Sequence, residues 1–243
     1  METFWITTVA GLWGAGTGLL IPRGAYRLSV PAGEPWRAAC PAGHSFAGAV
    51  GGWLGRSRCT NGHAYGPSTP AVAVIVAAVC AALASATGAR PELVVWLLLT
   101  PVGTLLAAVD ASAHRLPDVL TLTLAAAALV LLGAATLLPE ADGSWTSALL
   151  GSLLLAACYF VLFLISRGFG FGDVKLALVL GAVLGWYGWE IVLIGTFAGY
   201  LFGAVYGIAL ILTGRANRAS RIPFGPFLLA GTLAGVLLGS QGF

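Results

Sequence analysis

Two acidic residues at the edges of long apolar runs are the first candidates for chemistry. Asp110 follows the apolar run 92–109, and Asp173 lies between the glycine-rich stretch 168–172 and the apolar run 174–189. A charge beside a membrane-length apolar run is costly, and it usually serves chemistry or anchors a helix end. Glycines ahead of Asp173 would let a backbone approach its carboxyl closely. Taken alone, the glycine-rich stretch fits a plain turn with one solvated acid equally well.

Two carboxyl groups at one membrane face indicate aspartyl proteolysis. One carboxylate takes a proton from water while the other protonates or polarises the peptide carbonyl, and two like charges held close share one proton. We expect Asp173, at a helix N-terminus, to act as the base and Asp110, at a helix C-terminus, to hold the proton as the acid. Such a pair titrates as a unit. The structural alternative for Asp110 is an ion pair with Arg115 or Arg167.

The composition identifies the elements that must position these acids. Of the 243 residues, 58% are apolar and 9% are charged, and the mean hydropathy is +0.93. Soluble domains carry roughly 25% charged residues. The sequence therefore predicts an all-α, polytopic membrane protein, with about eight transmembrane helices and a cytoplasmic loop after the first. The predicted spans are 4–22, 70–88, 92–109, 117–138, 145–166, 174–189, 190–213 and 224–241.

The basic residues predict the orientation of these spans. With eight spans, eleven of the twelve Lys and Arg residues fall on one side of the membrane, and only Arg90 falls on the other. The positive-inside rule makes the basic side cytoplasmic and places both termini outside. Asp110 and Asp173 both border this cytoplasmic side. The N-terminus lacks the basic region of a signal peptide, so we interpret 4–22 as a retained span.

The residues next to Asp110 have structural explanations. Pro117 suits the first turn of the fourth span, where its missing N–H is harmless. Asp118 would favour the same helix N-terminus electrostatically. His114 could tune Asp110, but a solvated loop position is the expectation for it. Aromatic residues at 186–189 are expected to form part of an interfacial belt.

Three motifs in order along the chain resemble one family. They are Asp110 with Leu116-Pro117-Asp118, Gly170-Phe171-Gly172-Asp173 followed by Lys175, and Ile222-Pro223-Phe224-Gly225-Pro226 at the start of the last span. Together they resemble bacterial type IV prepilin peptidases, which are polytopic GxGD aspartyl proteases of the cytoplasmic membrane. The resemblance implies a catalytic dyad of Asp110 and Asp173, and supporting roles for Gly170, Gly172, Lys175, Pro117, Asp118, Pro223 and Gly225.

The same resemblance implies a substrate and partners. The substrate would be the leader of type IV prepilins or pseudopilins, cut on the cytoplasmic side just before the mature hydrophobic helix. The lipid bilayer is the other expected partner. Nothing in the charge pattern resembles a nucleic-acid-binding stripe, so no nucleic acid is expected. No oligomeric state is predicted.

A repeated Cys-x-x-Gly-His pattern lies in the polar loop 23–69. It reads Cys40-Pro-Ala-Gly-His44 and Cys59-Thr-Asn-Gly-His63, where the two-activity members of the family have two Cys-x-x-Cys pairs that look like a zinc site. Two thiolates and two imidazoles suit tetrahedral Zn²⁺, and the Gly before each His permits a tight turn, so we predict a structural zinc on these four residues. The alternative is a disulfide or free thiols, and a cytoplasmic loop argues against the disulfide.

This loop sets the predicted division of the chain. Residues 1–69 form the first transmembrane helix and the cytoplasmic zinc loop, and residues 70–243 form the transmembrane aspartyl peptidase domain. Our hypothesis is that zinc ties the loop into a lid near the two acids, since nothing else in 23–69 could form a core. In the family this region goes with N-methylation of the new pilin N-terminus by S-adenosylmethionine. The change from Cys to His leaves that activity open here.

Other classes of function compete with a peptidase. The main alternative is a non-catalytic membrane assembly factor, or a transporter with a relic site. A transporter would bury ionisable groups near mid-membrane, whereas these acids lie at the edges of spans. A third possibility is a GxGD protease that acts on other single-span substrates. The Pro-Phe-Gly-Pro motif and the cytoplasmic loop favour the prepilin branch.

Overall fold

Helices joined by turns make up the protein. In the described residues the only strand-like pairing is two isolated β-bridges, Ala39 with Ser45 and Arg58 with Ala64. The computed structural model describes residues 1–31, 33–59, 61–166, 168, 170–215, 217 and 222–242. In chain order the helices are α1 (Glu2–Gly18), α2 (Ile21–Leu28), α3 (Ala49–Gly52), α4 (Thr69–Thr87), α5 (Glu92–Ala113), α6 (Asp118–Ala135), α7 (Trp145–Ile165), α8 (Phe171–Gly185), α9 (Trp189–Leu212) and α10 (Gly225–Gly239). The predicted all-α class is confirmed.

The lengths and composition of the helices confirm a polytopic membrane protein. Within the described residues, α4, α5, α6, α7 and α9 are each long and apolar enough to cross a membrane, and α1 with α2, joined at a 43° bend, would make a sixth span. The helices α8 and α10 have 15 residues each. Each of these two therefore rises about 22 Å, less than the roughly 30 Å hydrocarbon core. All eight predicted spans correspond to helices, but two of them are shorter than a full crossing.

The predicted break between the sixth and seventh spans is present. Helix α8 ends at Gly185 and α9 begins at Trp189, after Gly188 at φ +110°. Glycine adopts such a backbone angle without steric cost, so the chain can turn there. The expected aromatic belt is only partly correct. Trp189 is exposed, but Trp186 is 1% exposed and its indole packs over Gly143, where a side chain would collide with it.

Close packing divides the chain into two units. The first comprises Met1–Ala89 and Trp96–Arg115, and the second comprises Arg90–Val95 and Leu116–Phe243. Helix α5 contributes to both, because its first residues belong to the second unit and the rest belong to the first. This division by packing differs from the functional division at residue 69, which stays a prediction.

In the first unit, glycines let α1 pack closely against α4. A Cβ added at Gly14 would lie 2.6 Å from the carbonyl oxygen of Val76, and one at Gly18 would lie 2.7 Å from the Cα of Ala73. Small residues at these two positions let the helix backbones approach closely, as is common between helices in membranes. Gly16 faces elsewhere, with nothing within 4 Å of an added Cβ.

In the second unit, α7 packs on α8 and α9 packs on α10. A Cβ added at Gly151 would lie 2.6 Å from a carbonyl oxygen of α8, and one at Gly199 would lie 3.2 Å from the Cα of Leu228. Gly195 and Gly203 likewise face neighbouring side chains. Lipid is as apolar as the helix surfaces, so close van der Waals contact supplies much of the association energy.

We expect Gly14→Ala to lower the unfolding temperature of the detergent-solubilised protein, because the added methyl group meets the α4 backbone. Overpacking of this kind costs about 1–3 kcal/mol. Gly16→Ala is the matched control, with the same change in the same helix but open space around it. In a helix Ala is favoured over Gly by roughly 1 kcal/mol, so this control should unfold no earlier than wild type. Equal unfolding temperatures for the two variants would contradict the α1–α4 packing.

Candidate functional site

Asp173 lies in the first turn of α8, as the sequence predicts. Its Oδ2 atom accepts a hydrogen bond from the Gly170 amide at 3.0 Å, and its own amide donates to the Gly170 carbonyl at 3.0 Å. The carboxyl therefore caps free N–H groups at the start of the helix. The helix dipole also favours a negative charge at this end. The side chain is half-buried, so it remains accessible from one side.

The two glycines of the Gly-Phe-Gly-Asp motif have different surroundings. A Cβ built on Gly170 would lie 3.7 Å from Asp173 Oδ2, an ordinary contact. A Cβ built on Gly172 would lie 3.3 Å from the Cβ of Leu116, which is tighter than most real contacts. The idea that these glycines keep the approach to Asp173 open stays a prediction for Gly170. At Gly172 the structure shows a packing reason instead, since its missing side chain faces Leu116.

An ion pair joins the starts of α6 and α8. The Lys175 ammonium contacts the Asp118 carboxylate, and it lies 4.9 Å from the centre of the Phe171 ring. Asp118 is the first residue of α6, directly after Pro117, which is the N-cap residue. The expected place of Asp118 at a helix N-terminus is confirmed. Its pairing with Lys175 was missed, because no sequence pattern connects residues on two different spans.

Two tyrosines lie near Asp173 within the second unit. Tyr159 on α7 and Tyr200 on α9 lie close enough to interact with its charge. The Tyr159 ring is buried, and its centre lies 6.2 Å from that of Tyr200, with the planes at 27°. Tyr200 in turn packs on Phe224, with 5.2 Å between the ring centres. The sequence offered no signal for these tyrosines, because single aromatic residues in apolar spans are common.

The Pro-Phe-Gly-Pro motif opens the last helix, as predicted. Phe224 is the N-cap residue of α10, Pro223 precedes it, and Gly225 is the first helical residue and is buried. A Cβ built on Gly203 of α9 would lie 2.8 Å from the Phe224 ring. Glycine at that position therefore makes room for the motif.

Asp110 lies in the last turn of α5, as predicted, and the residue is 6% exposed. Its backbone carbonyl accepts a hydrogen bond from the His114 amide at 2.8 Å, and His114 has φ +51°. This left-handed residue ends the helix. The exposed position of His114 agrees with the expectation of a solvated loop residue. Asp110 thus lies at the C-terminal end of α5, where the helix dipole disfavours a negative charge.

Two arginines were named as alternative partners of Asp110, and the structure describes one of them. Arg115 donates from one nitrogen, Nη1, to the carbonyls of Val30 at 3.0 Å and Pro31 at 2.6 Å. These contacts tie the turn after Asp110 to the loop that follows α2. Arg167 lies outside the described residues, so its pairing stays a prediction.

The repeated Cys-x-x-Gly-His pattern forms two matching turns. In the first, the Cys40 amide donates to the His44 carbonyl, and the Gly43 amide donates to the Cys40 carbonyl, both at 2.9 Å. The second turn, 59–63, repeats both hydrogen bonds at 2.9 Å. The glycines of the two turns have φ of +82° and +80°, a backbone angle that glycine adopts readily. The repeat in sequence is therefore a repeat in backbone structure, with a tight turn at each glycine as predicted.

Three of the four predicted metal ligands come together. The sulfurs of Cys40 and Cys59 are 2.8 Å apart, and His44 Nδ1 lies 2.9 Å from the Cys59 sulfur and 3.6 Å from the Cys40 sulfur. Donor atoms on one Zn²⁺ lie within about 4.6 Å of each other, because Zn–S bonds are about 2.3 Å long. The three side chains could therefore hold a metal ion together, with the two sulfurs moving apart on binding. His63, predicted as the fourth ligand, is exposed and lies outside this group.

The loop around these residues has a core, so the expectation that only zinc could organise it was wrong. Tyr65 is buried, and its ring centre lies 4.7 Å from that of Tyr26 and 5.8 Å from that of Phe46. The Arg27 guanidinium lies 3.8 Å from the centre of the Trp53 ring, a cation–π contact. Burial raises the pKa of the Tyr65 phenol, and a nearby arginine opposes that rise only in part.

Arginine side chains also bind the loop's own backbone. They donate to three carbonyls: Arg23 to Ala47 at 2.8 Å, Arg27 to Gly51 at 3.1 Å, and Arg37 to Tyr26 at 2.6 Å. Each contact satisfies a backbone carbonyl, at Ala47 in an irregular segment, at Gly51 in the short helix α3 and at Tyr26 in α2. The arginines that predicted the orientation of the chain therefore also hold this loop together.

Comparison with known proteins agrees with the motifs. The profile of the type IV leader peptidase family matches residues 97–208. This range includes Asp110, Asp173 and the helices α6, α7 and α8. Residues 97–208 therefore match the type IV leader peptidase family, which confirms the predicted resemblance.

Curated relatives carry one name, prepilin leader peptidase/N-methyltransferase. The relative from Aeromonas salmonicida is 41% identical over 143 residues, covering 57% of this chain and 47% of the relative. The one from Aeromonas hydrophila is 37% identical over 188 residues, covering 75% and 62%. The one from Pseudomonas aeruginosa is 34% identical over 148 residues, covering 60% and 49%. The chain thus spans about half of the length of most of these relatives. No solved structure matches the chain significantly.

We expect the purified protein to contain one zinc ion per chain, and Cys59→Ser to lose it, because a thiolate is a far stronger zinc ligand than a hydroxyl. Elemental mass spectrometry of protein purified without chelators measures the ratio. Cys158→Ser is the matched control, since this cysteine lies on α7 outside the metal group, and it should keep the metal. Wild-type protein without stoichiometric zinc would contradict the assignment.

Proposed function

We propose that the protein is a membrane aspartyl endopeptidase that removes the leader of type IV prepilins or pseudopilins. The observation that carries the proposal is the Asp173 carboxyl, held by the Gly170 amide in the first turn of α8, inside the segment shared with the leader peptidase family. The names of the relatives support the substrate class. The chain spans only part of their length, so both the activity and the substrate are proposals for it.

In the proposed reaction Asp173 is the base and Asp110 is the acid. The Asp173 carboxylate is stabilised by the Gly170 amide and the helix dipole. It takes a proton from water, whose oxygen attacks the scissile carbonyl carbon. Asp110, buried where a helix dipole disfavours a carboxylate, gives its proton to the carbonyl oxygen.

The second half of the reaction restores both acids. One hydroxyl of the tetrahedral intermediate returns a proton to Asp110 as the carbonyl reforms. The amide nitrogen takes the proton held by Asp173, and the C–N bond breaks. The enzyme ends with Asp110 protonated and Asp173 ionised, as it began. These reaction steps require the two carboxyl groups to act on the same scissile bond.

We also propose that zinc supports the peptidase as a structural ion. The fitting donors are Cys40, His44 and Cys59, and His63 is proposed as the fourth because turn 59–63 repeats the backbone of the first turn. Bound zinc would add folding free energy to the loop. In this proposal residues 1–69 form the first transmembrane helix and a zinc-bearing lid, and 70–243 form the peptidase domain. The test of the fourth ligand is a titration with a zinc chelator. His63→Ala should lose its zinc at a lower chelator concentration than the wild-type protein.

The proposed location is the bacterial cytoplasmic membrane, with several spans and the active site facing the cytoplasm. The support is the distribution of charge along the sequence, since eleven of twelve basic residues fall on one side of the predicted topology. Prepilin leaders would then be cut on the cytoplasmic side.

N-methylation of the new pilin N-terminus is a second candidate activity. It is favoured by the N-methyltransferase part of the relatives' names and by the loop with its Cys and His residues. S-adenosylmethionine would be the methyl donor. Transfer of a labelled methyl group from this donor to cleaved pilin tests it, and cleaved pilin without label would exclude it.

We expect Asp110→Asn and Asp173→Asn to abolish leader removal from a co-expressed type IV prepilin, because neither amide can accept or supply the proton that the reaction moves. Loss of general acid–base catalysis costs about 10²- to 10⁴-fold in rate. The shift of the prepilin band on a gel, checked by mass spectrometry, measures cleavage. Glu140→Gln is the matched control, since Glu140 is an exposed acid outside the proposed site.

Three outcomes decide the proposal. Loss of cleavage in both Asp variants, with wild-type amounts of folded protein and full cleavage by the control, supports it. Cleavage by either Asp variant at the wild-type rate overturns the mechanism. Wild-type protein that cleaves no prepilin from a panel of type IV systems would favour the alternative, a non-catalytic assembly factor.

A further inference from the structure

One side of the first turn of α8 packs against residues 116–118, where α6 begins. Residues three or four positions apart lie on one face of a helix, so Phe171, Gly172 and Lys175 share a face. Gly172 packs against Leu116, with 3.3 Å from its missing Cβ to the Leu116 Cβ. On the same face, the Lys175 ammonium pairs with the Asp118 carboxylate. Two independent contacts thus hold this face against residues 116–118.

Asp173 projects from the other side of the same turn. Two residues along an α-helix correspond to a rotation of about 200°, so Lys175 and Asp173 point in nearly opposite directions. Tyr159 of α7 and Tyr200 of α9 lie near the Asp173 carboxyl. The rotation of α8 about its axis therefore decides where the carboxyl points.

The two members of the ion pair differ in exposure. The Lys175 side chain is 13% exposed and its ammonium lies over the Phe171 ring, whereas the Asp118 side chain is 67% exposed. A pair with one exposed member adds little to stability. A lysine whose side chain is mostly covered, however, has few other positions for its ammonium, so the pairing with Asp118 constrains it. The ion pair therefore restricts the orientation of the first turn of α8 more than it stabilises the fold.

We propose that Lys175 is a positioning residue: through its ion pair with Asp118 it fixes the rotation of the first turn of α8, and so aims the Asp173 carboxyl away from residues 116–118. This inference rests on the proposed peptidase function. Lys175 does not touch the substrate in this scheme, and Asp118 acts only through Lys175. Removing either charge leaves Asp173 present and ionised but free to change direction.

The test is the kinetics of leader cleavage by the purified, detergent-solubilised full chain with a type IV prepilin as substrate. We expect Lys175→Met and Asp118→Asn each to lower kcat by about 10- to 100-fold, since small misplacements of a reacting group have costs of that order. KM should change little, because the substrate is bound elsewhere. The double variant should be no slower than the slower single variant, since both remove one contact. Lys175→Arg keeps the charge and should retain most of the activity.

The outcomes distinguish a failure of the positioning role of Lys175 from a failure of the proposed peptidase function. Wild-type kcat in Asp118→Asn, or losses that multiply in the double variant, would overturn the positioning role of Lys175. If Lys175→Met does not accumulate, Asp118→Asn still decides, because its side chain is mostly exposed and the fold should tolerate the change. Asp173→Asn is measured in parallel. If it cleaves normally, the proposed peptidase mechanism fails. If it is inactive while the pair variants are fully active, only the positioning inference fails.

Discussion

Contact between helix backbones is the constraint on which both packing units depend. A membrane offers no hydrophobic gain for bringing two apolar helices together, so the helices must meet closely enough for dispersion forces to matter. Glycine provides that approach at Gly14 in one unit and at Gly151 and Gly199 in the other. The same closeness brings the short helices α8 and α10 into contact with α7 and α9. The Asp173 turn and the Pro-Phe-Gly-Pro motif are thereby held on well-packed helices.

Helix direction then gives two identical side chains different environments. Asp173 stands at the positive end of a helix dipole and accepts a backbone hydrogen bond, whereas Asp110 is buried at a negative end. The helix dipole therefore favours a negative charge at Asp173 and disfavours one at Asp110. A mechanism that divides base and acid between them is consistent with this arrangement.

Features governed by local rules could be predicted from the sequence. The lengths of the apolar runs predicted where the helices lie. The ends of those runs predicted that Asp110 and Asp173 lie at helix termini. The glycine in each Cys-x-x-Gly-His repeat predicted the tight turn that both repeats form. Features that depend on partners distant in the chain could not be predicted. Trp186 is buried because Gly143 leaves space for its indole, and His63 lies apart although its backbone matches its counterpart. The arginine–aromatic core of the loop likewise arises from contacts that no periodicity reveals.

The hydrogen bond from Gly170 to the Asp173 carboxyl has a consequence for turnover. A carboxylate is a strong acceptor, and the neutral acid is a weaker one. In the proposed reaction Asp173 is neutral from the moment it takes the proton from water until it passes that proton to the leaving amine. During that interval the start of α8 is less well capped. The protonation state of the base and the capping of α8 would therefore change together in every catalytic cycle.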